Sequence, residues 1–321
     1  MHKQSLRTVC DWRREGASGT GAACKVDASR LMRAVPLSRS GTMDSRRLDS
    51  ICRTAGYVTR MSGGVGGWGR EASSYPDRTA TQEMARGIEM LYRRENRIGA
   101  TCAIGGGVLL LVGTYLHPME TDPNDAVAAF TEYAADRLWV ASHLTQLAGV
   151  ALMVAALLLL TQQLEEGSGK AWARIAAGGA SASLAVAAAL QAVDGIALKV
   201  MVNAWAAVPA AQKEIAFHAA FAVRQIEIGL ASMGSLLFGL TVTVYGVALL
   251  VDQTYPKWMG GLAIVGGIPT MVAGVVMAYT GFSGLAMAIN MPASSILLVW
   301  MLTLGVLMWR RGGVTRGETA V

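Results

Sequence analysis

Six apolar stretches in the last two-thirds of the chain limit what it can fold into. A helix needs about 20 mainly apolar residues to cross roughly 30 Å of hydrocarbon. Residues 98–116, 138–162, 173–199, 226–251, 259–280 and 293–309 meet or approach that length. A mean hydropathy of +0.39 with only 16% charged residues is too oily for an ordinary soluble domain. The expected fold is an all-α membrane protein, a six-transmembrane-helix bundle with a disordered N-terminal extension.

Charge separates the two parts. Residues 1–97 hold 18 Lys and Arg against 10 Asp and Glu, and residues 98–321 hold 10 against 12. The basic balance therefore belongs to the amino-terminal third. Residues 1–88, rich in Arg, Ser and Gly, show no sustained apolar period and bury too little to offset chain entropy. Their composition reads most simply as translated flanking sequence, with Met84 or Met90 as the native start. A basic arm that touches anionic lipid or nucleic acid, or a transit peptide, are the alternatives. On the leading reading no nucleic-acid partner is expected, and the expected partner is the lipid bilayer, with self-association through helix faces as a further option. Residues 89–311 form the membrane domain and 312–321 a short tail.

Basic residues near short loops set orientation. With the amino terminus inside, Arg93, Arg94, Arg97, Lys170, Arg174, Lys257, Arg310, Arg311 and Arg316 fall on the cytoplasmic side, against Arg137, Lys199, Lys213 and Arg224 outside. Both termini are therefore expected in the cytoplasm. The third span, IAAGGASASLAVAAALQAV, is mostly small residues, and its expected position is the middle of the bundle. Pro269, after Gly266 and Gly267, is expected to bend the fifth span. In the first outer loop, Asp122 with Pro123 and Asp125 predicts the start of a short amphipathic helix that leads to Trp139 at the interface. In the second, Pro209 predicts a helix that runs on into span four.

Polar residues near the outer ends of the spans are the candidates for function, because ionisable groups beside lipid are costly unless paired or wet. Asp136, Trp139, His143 and Gln146 share one face of span two, and Gln191 and Asp194 share one on span three. On span four, Glu214, His218 and Gln225 make a stripe, while Glu227 points roughly opposite His218. Arg224 can pair with Glu227 or with Asp194. His117, His143 and His218, with Asp194 or Glu227, are the residue types that would hold zinc and leave a position for water. The leading reading is a non-catalytic membrane protein with an outer polar network and no cofactor. A metal-dependent enzyme with zinc or haem, and a small-solute or ion carrier, are the alternatives. Asp194 and Lys199, about 140° apart on a regular helix, are not expected to work together.

Other chemistries find no support. GGVGGWG lacks the Gly-Lys-Ser/Thr of a phosphate loop, no GxSxG elbow is present, and Cys10, Cys24, Cys52 and Cys102 make no CxxC pair. The stretch LLFGLTVTVYGVALLVDQTYPKWMGGLAIVGGIPTMVAG, with a Gly-rich span, a short polar turn, Pro and then Gly-Gly-Leu, resembles a large group of uncharacterised bacterial six-span membrane proteins. That resemblance implies six helices in a bacterial cytoplasmic membrane. It assigns no role to any residue.

Overall fold

The computed structural model describes residues 78–313 apart from 119, 165 and 166. The extension before residue 78 and the tail after residue 313 lie outside the described residues. Helix α1 runs Arg78–Leu116, α2 Ala126–Ala135, α3 Trp139–Leu164 and α4 Lys170–Gln191. A π-helical segment, Ala192–Leu198, joins α4 to α5, Lys199–Ala207. A 3-10 turn at Ala210–Gln212 leads into α6, Lys213–Val251, followed by α7, Lys257–Thr280, and α8, Gly284–Gly313. Among the described residues there is no strand. Six helical segments are long and apolar enough to cross a bilayer, so this is a multi-pass membrane protein.

Exposed aromatic rings mark the two ends of the bundle. Tyr92, Trp172, Trp258 and Trp309 stand at one end, and Tyr115 and Tyr279 at the other. From Trp258 to Tyr279 along α7, a rise of about 1.5 Å per residue gives roughly 32 Å, close to the thickness of a hydrocarbon core. Tyr and Trp favour the headgroup level, so these rings fit two interfacial belts.

Lipid supplies no hydrophobic drive between helices, and close backbone contact takes its place. A Cβ on Gly106 of α1 would lie 2.7 Å from the Gly149 carbonyl of α3, and one on Gly149 2.8 Å from the Gly106 carbonyl. Gly246 of α6 and Gly260 of α7 oppose each other in the same way, at 2.8 and 2.6 Å. Hydrogen bonds tie other helix pairs together, α6 to α3 and α8 to α7. Tyr245 donates to the Leu157 carbonyl at 3.0 Å, and Trp300 Nε1 to the Met259 carbonyl at 3.0 Å.

The structure corrects several expectations. The small-residue third span is the least enclosed of the six, with 17% of its apolar window buried against 33–39% in the others. Small side chains permit close approach without requiring it: a Cβ on Gly179 of this span would stand 2.4 Å from Thr241 Oγ1 of α6, while the neighbouring Gly178 has nothing within 4 Å. The sixth span starts at Gly284, before Pro292, because a membrane helix tolerates an internal proline. Span three continues to Ala207 through its π segment, past the end expected at residue 199. The helix from Pro209 into span four forms as expected, starting with the 3-10 turn.

Candidate functional site

The site is built from the loop helix outward. Asp125, not Asp122, is the N-cap of α2, and its Oδ1 accepts from the Ala128 amide at 3.1 Å. Asp122 instead closes the preceding turn by accepting from the Asn124 amide at 2.9 Å. At the other end of α2, Lys199 Nζ donates to the carbonyls of Tyr133, Ala134 and Asp136 at 2.5, 3.1 and 2.7 Å. A cation there satisfies orphan carbonyls and the negative helix end together. Phe130 and Tyr133 pack with Trp139, Leu198, Val202, Trp205 and Ala220 in a second apolar core, separate from that of the bundle. Trp139 is thus fully buried rather than interfacial, and Trp205 is nearly so.

Trp139 opens α3 and sits among three rings. Its centroid lies 4.3 Å from Tyr133, 4.9 Å from His117 and 4.6 Å from His143. Its Nε1 donates to the Asp194 carbonyl at 3.0 Å, which ties α3 to the π segment. The His117 and His143 rings are 5.0 Å apart. His143 Nδ1 is 2.7 Å from the Trp139 carbonyl and His117 Nδ1 is 2.8 Å from the Pro118 carbonyl. A carbonyl only accepts, so both Nδ1 atoms carry hydrogen and each Nε2 of a neutral ring keeps its lone pair. His143 Nε2 lies 3.0 Å from Asp194 Oδ2. One ligand atom each from His117, His143 and Asp194 lies within 4.8 Å of the other two.

Two acceptors, a neutral Nε2 and a carboxylate oxygen, do not sit 3.0 Å apart without a positive charge between or beside them. That charge is either a proton on the pair or a cation. Asp194 Oδ1 and Gln191 Oε1 are also buried without a hydrogen-bond partner, three residues apart on one helix. Gln191 donates to Gln146 Oε1 at 3.2 Å, so two of the three candidate glutamines join the cluster. Gly195 makes the approach feasible, since a Cβ there would stand 2.6 Å from His143 Cβ.

Beside this cluster, Arg224 holds Glu227 through one nitrogen at 3.0 and 2.8 Å, with side chains only 6% and 4% exposed. The guanidinium carbon lies 5.4 Å from the Tyr133 ring and 5.0 Å from the Phe282 ring. Arg224 also reaches the Pro123 carbonyl at 3.4 Å. Asn124 donates to the Phe282 carbonyl at 2.9 Å, so the α1–α2 loop is anchored to the α7–α8 turn. That turn depends on Gly281, whose φ of +62° suits a residue without a Cβ.

Three candidates take other roles. His218 and Gln225 are exposed on the face of α6 opposite Arg224 and Glu227. His218 meets only the edge of Phe217, at 5.8 Å. Of the three candidate histidines, therefore, two converge and His218 does not. Asp136 uses Oδ1 to accept from the Leu138 amide at 2.8 Å where α3 begins, and its Oδ2 is buried without a hydrogen-bond partner.

Burial holds the His117 imidazole below its ordinary value; His143 nearby acts the same way, and the Pro118 carbonyl and Asp194 oppose it. Burial likewise pushes the Tyr133 phenol up to about 12, with Arg224 opposing, so that ring stays neutral. For Glu132, burial alone would raise the carboxyl. Donors from Thr121 Oγ1 and the Glu120 and Thr121 amides outweigh burial and hold it below the usual range.

Sequence reasoning missed Tyr133, Ser142, Gly195 and Lys199 as parts of the cluster. Ser142 donates to the Trp139 carbonyl at 2.7 Å and lies 3.2 Å from His143 Nδ1. Its position beside His143 was the available signal. For Gly195, adjacency to Asp194 was the only one.

No curated protein and no solved structure matches this sequence. One family does: residues 98–305, from the start of span one into span six, match the family described as Domain of unknown function (DUF4386). That match covers most of the membrane domain, including every residue of the cluster, and the chain belongs to the DUF4386 family of uncharacterised proteins.

Proposed function

We propose that this protein binds a divalent transition-metal ion at the outer ends of its first three spans, through His117, His143 and Asp194. The observation that carries the reading is the triangle of donor atoms within 4.8 Å. Two ligands about 2.05 Å from one ion and 3.0 Å from each other subtend roughly 94°, so His143 Nε2 and Asp194 Oδ2 already suit a shared ion. Each imidazole gives its Nδ1 hydrogen to a backbone carbonyl, which is how metal-ligating histidines are usually oriented. Imidazole with carboxylate suits zinc and its first-row neighbours.

Side-chain exposures of 2% for His143 and 15% for Asp194 leave little access for a substrate. The role is therefore fastening rather than turnover: the ion would join the end of α1, the start of α3 and the π segment. Basic residues dominate the opposite end of the bundle, which supports an outward-facing site in a cell membrane with both termini in the cytoplasm. A carrier has less support, since Arg224 and Glu227 satisfy each other. The 3.0 Å contact favours one other reading, an imidazolium–carboxylate pair that serves the same fastening with a proton.

Metal analysis of protein purified without chelator, before and after zinc addition, separates the two. The expected result is about one ion per chain in wild type and in His218→Ala, and loss in His143→Ala and in Asp194→Asn. Wild-type protein that takes up no stoichiometric metal, and whose unfolding zinc does not shift, overturns the metal reading in favour of the protonated pair.

A further inference from the structure

At the end of the bundle remote from the histidines, the α6–α7 turn and the last turns of α8 border an open cavity of about 450 Å³. It is lined by Gln253, Thr254, Tyr255, Pro256, Leu307, Arg310 and Arg311. Tyr255 is its buried floor, and the Arg311 guanidinium carbon lies 4.6 Å from the ring centroid. The Tyr255 hydroxyl donates to Gln163 Oε1, and burial raises that phenol well above its ordinary value, so it remains a donor. Arg311 Nη1 and Gln163 Nε2 are both buried without an acceptor. Buried donors of this kind are costly unless something takes their hydrogens.

Neighbouring groups do not fill that need. Lys257 is spent on the Leu250 and Asp252 carbonyls, the latter at 2.6 Å. The buried Asp252 accepts from the Thr254 amide at 2.7 Å, and Asn96 donates through Nδ2 to the Tyr92 carbonyl at 2.8 Å while its own Oδ1 is buried without a partner. What is left is the Arg311 guanidinium, with Nη1 unsatisfied, and an exposed second arginine, Arg310, at the rim. Planar guanidinium groups match the oxygens of a phosphate.

The setting selects the source of that phosphate. Trp258 and Trp309 stand exposed beside the cavity, at the level expected for headgroups. Leu307 and Pro256 give it an apolar wall, and Val306 and Trp309 continue that surface toward lipid. A ligand with a phosphate at one end and an acyl chain at the other fits both parts. We infer that this cavity holds the headgroup of an anionic phospholipid, with its phosphate on Arg310 and Arg311 and its chain along Val306 and Trp309. Basic pockets between membrane helices are suited to such headgroups.

Native mass spectrometry of the full chain, released from micelles containing phosphatidylglycerol or phosphatidylcholine, tests the inference. Wild type is expected to retain one phosphatidylglycerol through activation that strips phosphatidylcholine. Arg310→Gln, at an exposed position that leaves packing intact, should weaken retention about fivefold, from about 1 kcal/mol per basic residue near an anionic surface. Arg311→Lys should weaken it as well, because an ammonium cannot present two parallel donors. Equal retention of both lipids, or no change in either variant, overturns the proposal. Displacement of phosphatidylglycerol by millimolar inorganic phosphate also overturns it, by assigning the site to a soluble anion.

Discussion

The Arg224–Glu227 pair permits a quantitative test of how the layer around the histidines is held. Both side chains are at least 94% buried, and one guanidinium nitrogen reaches both carboxylate oxygens, at 3.0 and 2.8 Å. Removing one partner leaves the other charge buried without its counterion, which costs about 3–5 kcal/mol. Arg224→Met should fall in that range. The lost ring contacts with Tyr133 and Phe282 would add on the order of 1 kcal/mol. Glu227→Gln should cost somewhat less, because its amide oxygen can still accept one hydrogen bond. Replacing both with methionine removes both charges and keeps the volume, and such replacements are often near neutral. The double variant should therefore be more stable than Arg224→Met alone, with a coupling of roughly 2–3 kcal/mol. Reversible unfolding of the four proteins in mixed micelles, followed by circular dichroism, gives the cycle. If the double variant loses as much as the two single variants summed, the pair is not a mutually compensating unit and the reasoning fails.

Two further outcomes follow from particular contacts. Gly195→Ala should destabilise by about 1–2 kcal/mol, an overpacking cost of about 1–3 offset by up to about 1 in helix propensity, because its methyl would stand 2.6 Å from His143 Cβ. Gly229→Ala, with nothing within 4 Å of its added Cβ, should be neutral or stabilising, and equal melting temperatures for the two would sink the close-approach argument. The Glu132 carboxyl is held below the usual range in the folded chain, so the clamp it makes on Glu120 and Thr121 should be present above the ordinary glutamate value of 4.5 and lost as pH falls through the folded value. Amide exchange at those two residues should accelerate across that window, and Glu132→Gln should show the acidic behaviour at neutral pH; protection that stays flat in both cases refutes the clamp.

The spans were legible because lipid imposes a length and a composition that a sequence cannot hide. The i, i+3 pairing of Arg224 with Glu227, and the orientation of Glu227 away from His218, were also legible, because both follow from regular helical geometry within α6. Contacts between helices were not. His117 and His143 meet because α1 and α3 approach at the Gly106–Gly149 seam, and single glycines in an apolar stretch do not say which helix they face. The burial of Trp139 was missed for a related reason. A tryptophan at a span boundary suits the headgroup level, and only the α2 helix folded over it makes the position interior. The peripheral third span shows the converse: its small residues permit a central position, and the seams between other helices leave it at the edge.

The π segment accounts for the largest single departure. On an uninterrupted α-helix, Asp194 and Lys199 stand about 140° apart and face different neighbours. Ala192–Leu198 winds wider, and a π-bulge acts as an insertion of one residue. Removing one residue's worth of rotation, about 100°, brings the two positions to roughly 40° of each other. The contacts agree with that angle. Asp194 reaches His143 and, through its carbonyl, Trp139 at the start of α3, while Lys199 grips the carbonyls of Tyr133, Ala134 and Asp136 just before it. One irregular turn thus directs a carboxylate and an ammonium at the same α2–α3 junction, where a regular helix would direct only one. The two are not redundant. Lys199 satisfies the end of α2 and needs no further partner, whereas Asp194 keeps a buried oxygen without one. Had the irregular turn served only to seat the loop helix, Lys199 would have sufficed. The Asp194 carboxylate, with one oxygen on the His143 imidazole and the other unpartnered, is the part of the arrangement that the proposed ion or the protonated pair would satisfy.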